Sequence, residues 1–517
     1  MFHRTLTLVQ TVTIVFISMV SLGGLLSAVY DRWHPHSGSP VAAGIVLLLA
    51  CAIAAVVLLA RGTPFLHSTK RAVWVLFIVG IVLRTLSIAL IPNKQVSDFE
   101  TFHELAVAVK NGDGFAYTGS TGLREEVRFF LHRYNAKGPI PTAQRMPGTP
   151  LLMSGLYAIG GTHPFLGKLF NAFLGAGIGV CLFLLLAGTD RGLAFRAGLF
   201  SEVYPAGIFY TNLLGTEIHF TFGIVLAALL ISRTVESKKT GMAVLGLVTG
   251  LLVGFTSIIR PATQYIVCVF AGVFLSPAKA RKTIIILGML SIGIAIPLAS
   301  WGLRNYRVFG HFEWQTTEIG LGWFTMTRGI IPQRQERTLD GLSKRFLKSQ
   351  DEFEIANLGK EIGMKRFALA VRDICFVKTM AKNNLKTWRD DLDALNWCCA
   401  LPGYTGCAEN IRMPVSYATY RLLAKACECF YLTTLILAVF GAMAFLGRKN
   451  MPRNAGVMTL LFFFVCSALL ACVFQGQPRY HFPLMTVVFI MAADSFGLLR
   501  RATLLKAAKT AGDPSTP

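Results

Sequence analysis

Residues 73–109 read VWVLFIVGIVLRTLSIALIPNKQVSDFETFHELAVAV. The apolar run, interrupted by Arg84, ends at Pro92, and the chain then turns acidic at Asp98, Glu100 and Glu104. A helix needs about 20 apolar residues to cross the hydrocarbon core, and the stretch 72–91 has them. The acids therefore start just beyond a membrane boundary. They stand out because the chain has only 27 Asp and Glu in 517 residues, against 50 Lys and Arg. DFETFHELAVAV reads as a helix along that boundary, with Phe99, Phe102, Leu105, Ala106 and Val109 recurring at helical spacing. Asp98 lies near its start, where the helix dipole favours an anion. By itself this cluster is equally explained by an N-cap at Asp98 and a solvated face at Glu100 and Glu104.

Hydrophobic residues make up 53% of the chain and charged residues 15%. Soluble domains carry about 25% charged residues, so this is the composition of a polytopic membrane protein. The net charge of +23 needs no nucleic acid, because basic residues collect in cytoplasmic loops. The apolar N-terminus is too long for a signal peptide and lacks a small-residue cleavage site, so it reads as a retained span. The eleven cysteines form no paired CxxC zinc pattern. Cys51, Cys181, Cys268, Cys466 and Cys472 lie in apolar runs and read as small packing residues.

Twelve spans are expected, at 8–30, 41–60, 72–91, 164–187, 194–212, 216–232, 242–259, 262–276, 283–302, 426–446, 456–474 and 481–499. The apolar stretch 148–161 is too short to cross and reads as an interfacial helix. Basic residues fall in alternate short loops: Arg4; Arg61, Lys70 and Arg71; Arg191 and Arg196; Arg233, Lys238 and Lys239; Lys279, Arg281 and Lys282; Arg448, Lys449 and Arg453; and Arg500, Arg501, Lys506 and Lys509. The opposite short loops hold only Arg32, Arg260 and Arg479. By the positive-inside rule both termini are cytoplasmic, and the long segments 92–147 and 303–425 face outward.

Other polar residues gather at the same outward boundary. Arg145 precedes the short helix and Lys168 follows it. Glu217 and His219 open a span, Arg260 ends one, Arg304 opens the large loop, and Arg479 and Tyr480 precede the last span. Any one basic residue there can snorkel to headgroups. Acids and bases converging on the side that the charge rule disfavours need a further reason. A lipid-linked phosphate sits at that height. Arg or Lys can stabilise a departing polyprenyl phosphate, and an Asp can take the proton of an attacking hydroxyl. Direct attack would invert the anomeric centre. Asp98 and Glu217 could instead mimic the two carboxylates of a glycosidase, but hydrolysis would waste a lipid donor.

These residues resemble the GT-C glycosyltransferases of the protein-mannosyltransferase and aminoarabinose-transferase type. The resemblance runs from about residue 72 to 499 through SDFETFHELAVAVKNGDGF, RMPGTPLLMSGLYAIGGTHPFLGKLFNAFLGA, YPAGIFYTNLLGTEIHF, RPA, LRNYRVFGHF and PRYHFP. KEIGMKRFALAVRDICFVKTMAKNNLKTW is similar to the family's juxtamembrane helices. The resemblance implies an all-α polytopic membrane fold, a GT-C-like bundle of about 12 spans. It implies two extra N-terminal helices in 1–71, a core in 72–302 that includes the first outer loop 92–147, a large outer loop in 303–425, and three spans with a tail in 426–517. It further implies Asp98 as catalytic base and Glu217 as second acid, with Arg145, Arg304 or Arg479 on the donor phosphate. Phe99 separates Asp98 from Glu100, where the family often pairs two acids directly, so either could serve as the base. Glu100, Lys168, His219, Arg260 and Tyr480 complete the expected substrate-binding set.

Arg84 and Glu202 fall inside spans and are costly unless paired. The sequence does not show whether their helices touch. Cys375, Cys398, Cys399 and Cys407 lie in the outer loop, where Cys407 could bond Cys398 or Cys399 in an oxidising compartment. Phe346, Phe353, Phe367, Phe376 and Trp388 sit among basic residues, a composition suited to anionic headgroups. Asp98, Glu217 and His219 could hold a divalent cation, though they form no recognisable ligand spacing. The expected partners are a polyprenyl-phospho-sugar donor, the bilayer, and a lipid-linked saccharide, glycolipid or protein acceptor. Two other readings are a transporter or flippase, which would carry broken-helix repeats and midplane sites, and an oligosaccharide ligase.

Overall fold

The computed structural model describes residues 68–119, 138–261, 263–276, 278–349, 351–372, 375–401, 413–446, 454–473 and 476–496. The expected spans 8–30 and 41–60, Cys407 and the C-terminal tail lie outside them. The protein is an all-α polytopic membrane protein. Its helices in chain order are α1 (Thr69–Leu90), α2 (Asp98–Asn111), α3 (Gly148–Gly160), α4 (Pro164–Leu186), α5 (Arg191–Glu202), α6 (Pro205–Tyr210), α7 (Glu217–Glu236), α8 (Lys239–Ser257), α9 (Thr263–Phe274) and α10 (Ala280–Phe309). They continue with α11 (Glu318–Met326), α12 (Gln333–Glu336), α13 (Asp340–Lys348), α14 (Glu352–Val371), α15 (Cys375–Trp388), α16 (Asp393–Cys398), α17 (Tyr417–Leu446) and α18 (Ala455–Val473). Residues 485–496 are also helical. Among the described residues, the strands are one antiparallel pair, Ala116–Tyr117 with Ile140–Pro141.

Among the described residues, six helices are long and apolar enough to cross a membrane: α1, α4, α7, α10, α18 and the Tyr417–Met443 part of α17. Helices α8 and α9 are apolar but shorter. Large apolar side chains stay exposed along them, among them Trp74, Val267, Ile284 and Val439. Such a surface is stable against lipid tails, which are as apolar as the side chains themselves. The stretch 194–212 departs from the expected single span. It is two helices, α5 and α6, broken at Val203–Tyr204. Pro205 explains the break: it has no N–H to continue α5 but suits the first turn of α6.

Arg84 and Glu202 do pair. Arg84 Nη1 lies 2.6 Å from Glu202 Oε2, with the two side chains 1% and 0% exposed. Missing side chains make the room: a Cβ at Gly80 would fall 2.0 Å from Glu202 Oε2, and one at Gly179 2.1 Å from Glu202 Oε1. The pair thus ties α1 and α5 together against α4, in a core where all three meet. Helix α10 has 30 residues, about 45 Å at 1.5 Å rise, so it outruns a hydrocarbon core of about 30 Å. Its C-terminal end carries Arg304 and Asn305 among the loop segments that support the site.

Candidate active site

Helix α2 begins at Asp98, directly after Ser97, whose φ of 53° and ψ of −131° are unfavourable for a residue with a Cβ. Ser97 makes no side-chain capping bond, and the helix is not a half-solvated one. Phe99, Phe102, Leu105 and Ala106 are buried as the spacing predicts, and Thr101, Glu104, Val107 and Ala108 are buried as well. Glu104 accepts from the Thr118 hydroxyl at 2.6 Å, so it holds its own loop.

The segment before α3 delivers Arg145. Gly148 N–H donates to the Ile258 carbonyl at 2.7 Å, and a Cβ on Gly148 would lie 2.8 Å from that oxygen. This close docking fixes the Arg145 loop against the end of α8, where Arg260 follows. From the other side, half-buried Glu352 accepts from the Ala143 N–H at 2.9 Å and the Thr142 hydroxyl at 3.0 Å. Burial pushes the Glu352 carboxyl up; those bonds and Arg304 partly offset it.

The charged groups then meet. Arg145 Nη2 donates to Asp98 Oδ1 at 2.6 Å and Arg479 Nη1 donates to Asp98 Oδ2 at 3.0 Å. The second Nη of Arg145 lies 2.5 Å from Glu318 Oε1. Arg260 pairs with Glu217 at 3.4 Å. The ring of Tyr480 links the two halves: the guanidinium carbons of Arg260 and Arg479 lie 5.5 Å and 5.8 Å from its centroid. Three carboxylates thus face three guanidinium groups drawn from widely separated parts of the chain. Burial alone would raise the Asp98 carboxyl, but the Arg145 and Arg479 charges and hydrogen bonds together overcome it and hold it well below the usual carboxylate range. Burial likewise opposes the charge on Arg479, and Asp98 overcomes it, so Arg479 is held well above its ordinary value.

Of the residues singled out in the sequence, Asp98, Arg145, Glu217, Arg260, Arg479 and Tyr480 come together here. Glu100 is half-buried on the first turn of α2. Lys168 donates to Asn93 Oδ1 at 2.6 Å and so anchors the segment leading to α2. His219 is buried, with Nδ1 3.3 Å from the Thr149 hydroxyl and its ring against Phe170 at 5.7 Å. Arg304 donates to the Thr142 and Phe115 carbonyls at 2.9 Å and 2.8 Å, which places it as a brace of the first loop. Among the described residues, no group of three or more His, Cys, Asp and Glu is arranged to hold a metal ion. Cys398 and Cys399 are buried free thiols. Glu318 is the member of this charged cluster that sequence reasoning missed. Its one signal is its place in the QTTEIG stretch, a lone acid opening a short apolar helix.

No protein-family model matches the sequence, and no curated protein sequence matches it. Similarity to solved structures reaches the oligosaccharyltransferase AglB from Archaeoglobus fulgidus. In its complex with an inhibitory peptide and a dolichol-phosphate, the TM-score is 0.49 at 13% identity, over 87% of this chain and 52% of that one. The apo form of the Archaeoglobus fulgidus enzyme gives 0.49 and 13%, over 87% and 53%. Its complex with Zn and sulfate gives 0.47 and 12%, over 84% and 50%. The chain spans about half the length of the solved structures it matches.

Proposed function

We propose that this chain is an inverting membrane glycosyltransferase of GT-C type. It takes a sugar from a polyprenyl-phosphate-linked donor and passes it to a glycan, glycolipid or protein hydroxyl at the outer face of the membrane. The observation that carries this reading is the Asp98 carboxylate held between Arg145 and Arg479, at the rim of a bundle of apolar helices. Guanidinium groups beside lipid-facing helices suit a ligand with a phosphate head and an apolar tail. The acceptor oxygen attacks the anomeric carbon, and its bond to the donor phosphate breaks. The electron pair leaves with the polyprenyl phosphate, and the hydroxyl proton passes to Asp98. Arg145 and Arg479 stabilise the charge that develops on the leaving group. Glu217 positions Arg260 beside them.

The clamp has a further chemical effect. A carboxylate bound by two cations is a weak base. The donor phosphate competes for the same guanidinium groups. As they turn to it, the charges that depress the Asp98 carboxyl withdraw, while the burial that raises it stays. Asp98 thus becomes an effective base when a donor is in place. The test is sugar transfer from labelled polyprenyl-phospho-sugars in membranes carrying wild type or Asp98→Asn. The expected loss is at least about a hundredfold, the scale of a removed general base. Transfer within a few-fold of wild type would remove Asp98 from that role.

A further inference from the structure

A second polar cluster lies two residues beyond Arg479, and the reaction as described leaves it unused. His481 is 1% exposed, yet both its ring nitrogens are engaged. Nδ1 lies 2.7 Å from the Thr387 carbonyl and must donate to it. Nε2 lies 2.9 Å from Asp391 Oδ1, which also accepts from the Tyr204 hydroxyl at 2.8 Å. One proton therefore sits on the Nε2–Oδ1 line, and the pair is neutral whichever end carries it. The rings of Trp388 and Tyr431 stack on the imidazole at 5.5 Å and 5.2 Å. A buried polar group costs stability unless it is hydrogen-bonded; here both imidazole nitrogens are held by the 387–391 segment and Tyr204 holds Asp391 Oδ1, while Asp391 Oδ2 has no hydrogen-bond partner among the described residues.

The backbone of His481 shows what these ties control. Its N–H donates to the Pro478 carbonyl at 3.2 Å, closing the 3-10 turn Pro478–Tyr480 that carries Arg479. Its carbonyl accepts from the Leu484 and Met485 N–H groups at 2.8 Å and 3.0 Å, starting the final helix. Helix α15 holds both ends of this stretch: Thr387 binds His481, and the Asn383 amide donates to the Cys472 carbonyl at 3.0 Å. From the turn so held, Arg479 reaches Asp98.

We infer that His481 and Asp391 are positioning residues, which lock the Pro478–Tyr480 turn so that Arg479 points at the place where a lipid phosphate binds. The inference rests on the proposed donor site. The test uses the full-length protein in phosphatidylcholine nanodiscs, titrated with long-chain polyprenyl monophosphate. Arg479→Ala and His481→Gln should each weaken binding about tenfold, the scale of one charged hydrogen bond. The double variant should bind no more weakly than Arg479→Ala alone, because His481 acts only through Arg479. Should His481→Gln fail to fold, Tyr204→Phe removes one bond to Asp391 and should weaken binding about threefold. Wild-type affinity in the His481 or Tyr204 variant, beside a weakened Arg479→Ala, overturns this inference and leaves the donor site standing. Losses that add in the double variant also overturn it, since they mean an independent structural role. Wild-type affinity in Arg479→Ala removes the donor site and this inference together.

Discussion

Two guanidinium groups on one carboxylate make a persistent anion. A carboxyl held low in the folded state stays ionised to lower pH than a free one. Its stabilising contribution is fully present above the unfolded value of about 3.9 and is lost as pH falls through the depressed folded value. For the donor-free protein, transfer at low donor concentration should therefore show no acid limb from Asp98 from about pH 8 down to about pH 3. A limb centred near the ordinary carboxylate value of about 3.9 to 4.3, measured in the same assay, would mean that the clamp is not formed in solution. Ser97 beside it has a positive φ, a conformation that costs on the order of 1–3 kcal/mol and is found where surrounding structure over-determines it. Asp98, Glu217, Arg260 and Arg479 were legible because isolated charges at the ends of apolar runs are hard to explain by snorkelling together. Glu318, Asp391 and His481 were not. Glu318 and Asp391 sit in the long segment 303–425, rich in charges, where sequence spacing says nothing of which ones fold inward, and nothing in the sequence around His481 shows that it meets residues 387–391.

At the scale of elements, the short docked joints matter more than helix propensity. The Arg145 loop meets the end of α8 through Gly148, with no space for a side chain. Gly148→Ala should cost about 1–3 kcal/mol of stability, the usual range for overpacking, and should move Arg145 off Asp98. Thermal unfolding and transfer rate measured together check this: the rate should fall by more than the loss of folded protein accounts for. Unchanged rate and stability would show that the loop can shift freely. Helix α2 was readable from its apolar period, and its register is as expected. The burial of Thr101 and Glu104 was not readable, because a polar pair looks like a solvent face until a partner such as Thr118, which donates to Glu104, is known. The break between α5 and α6 had a visible sign in Pro205, overridden by the apolar composition on both sides.

Across the whole molecule, the Arg84–Glu202 pair is the buried ionic tie between α1 and α5. Removing one partner strands a buried charge, which typically costs 3–5 kcal/mol. Glu202→Leu should therefore lower the yield of folded protein sharply. Arg84→Met combined with Glu202→Leu should recover most of it, since packed apolar groups often replace a buried ion pair at little cost. Folded yield by detergent size-exclusion chromatography checks both, and a double variant no better than the single would argue against pairing. The number and polarity of the residues were plain from the sequence. Their contact was not, because the partners are 118 positions apart and the glycines that let them meet lie on two different helices, α1 and α4.

That separation has a consequence in time. At about 5–20 residues per second, a ribosome needs roughly 6–24 s to pass from Arg84 to Glu202. During that interval the first helix of the pair carries an uncompensated cation, which is costly in hydrocarbon. Nascent chains that end before Glu202 should therefore be cleared by membrane proteases faster than chains in which Glu202 has reached Arg84.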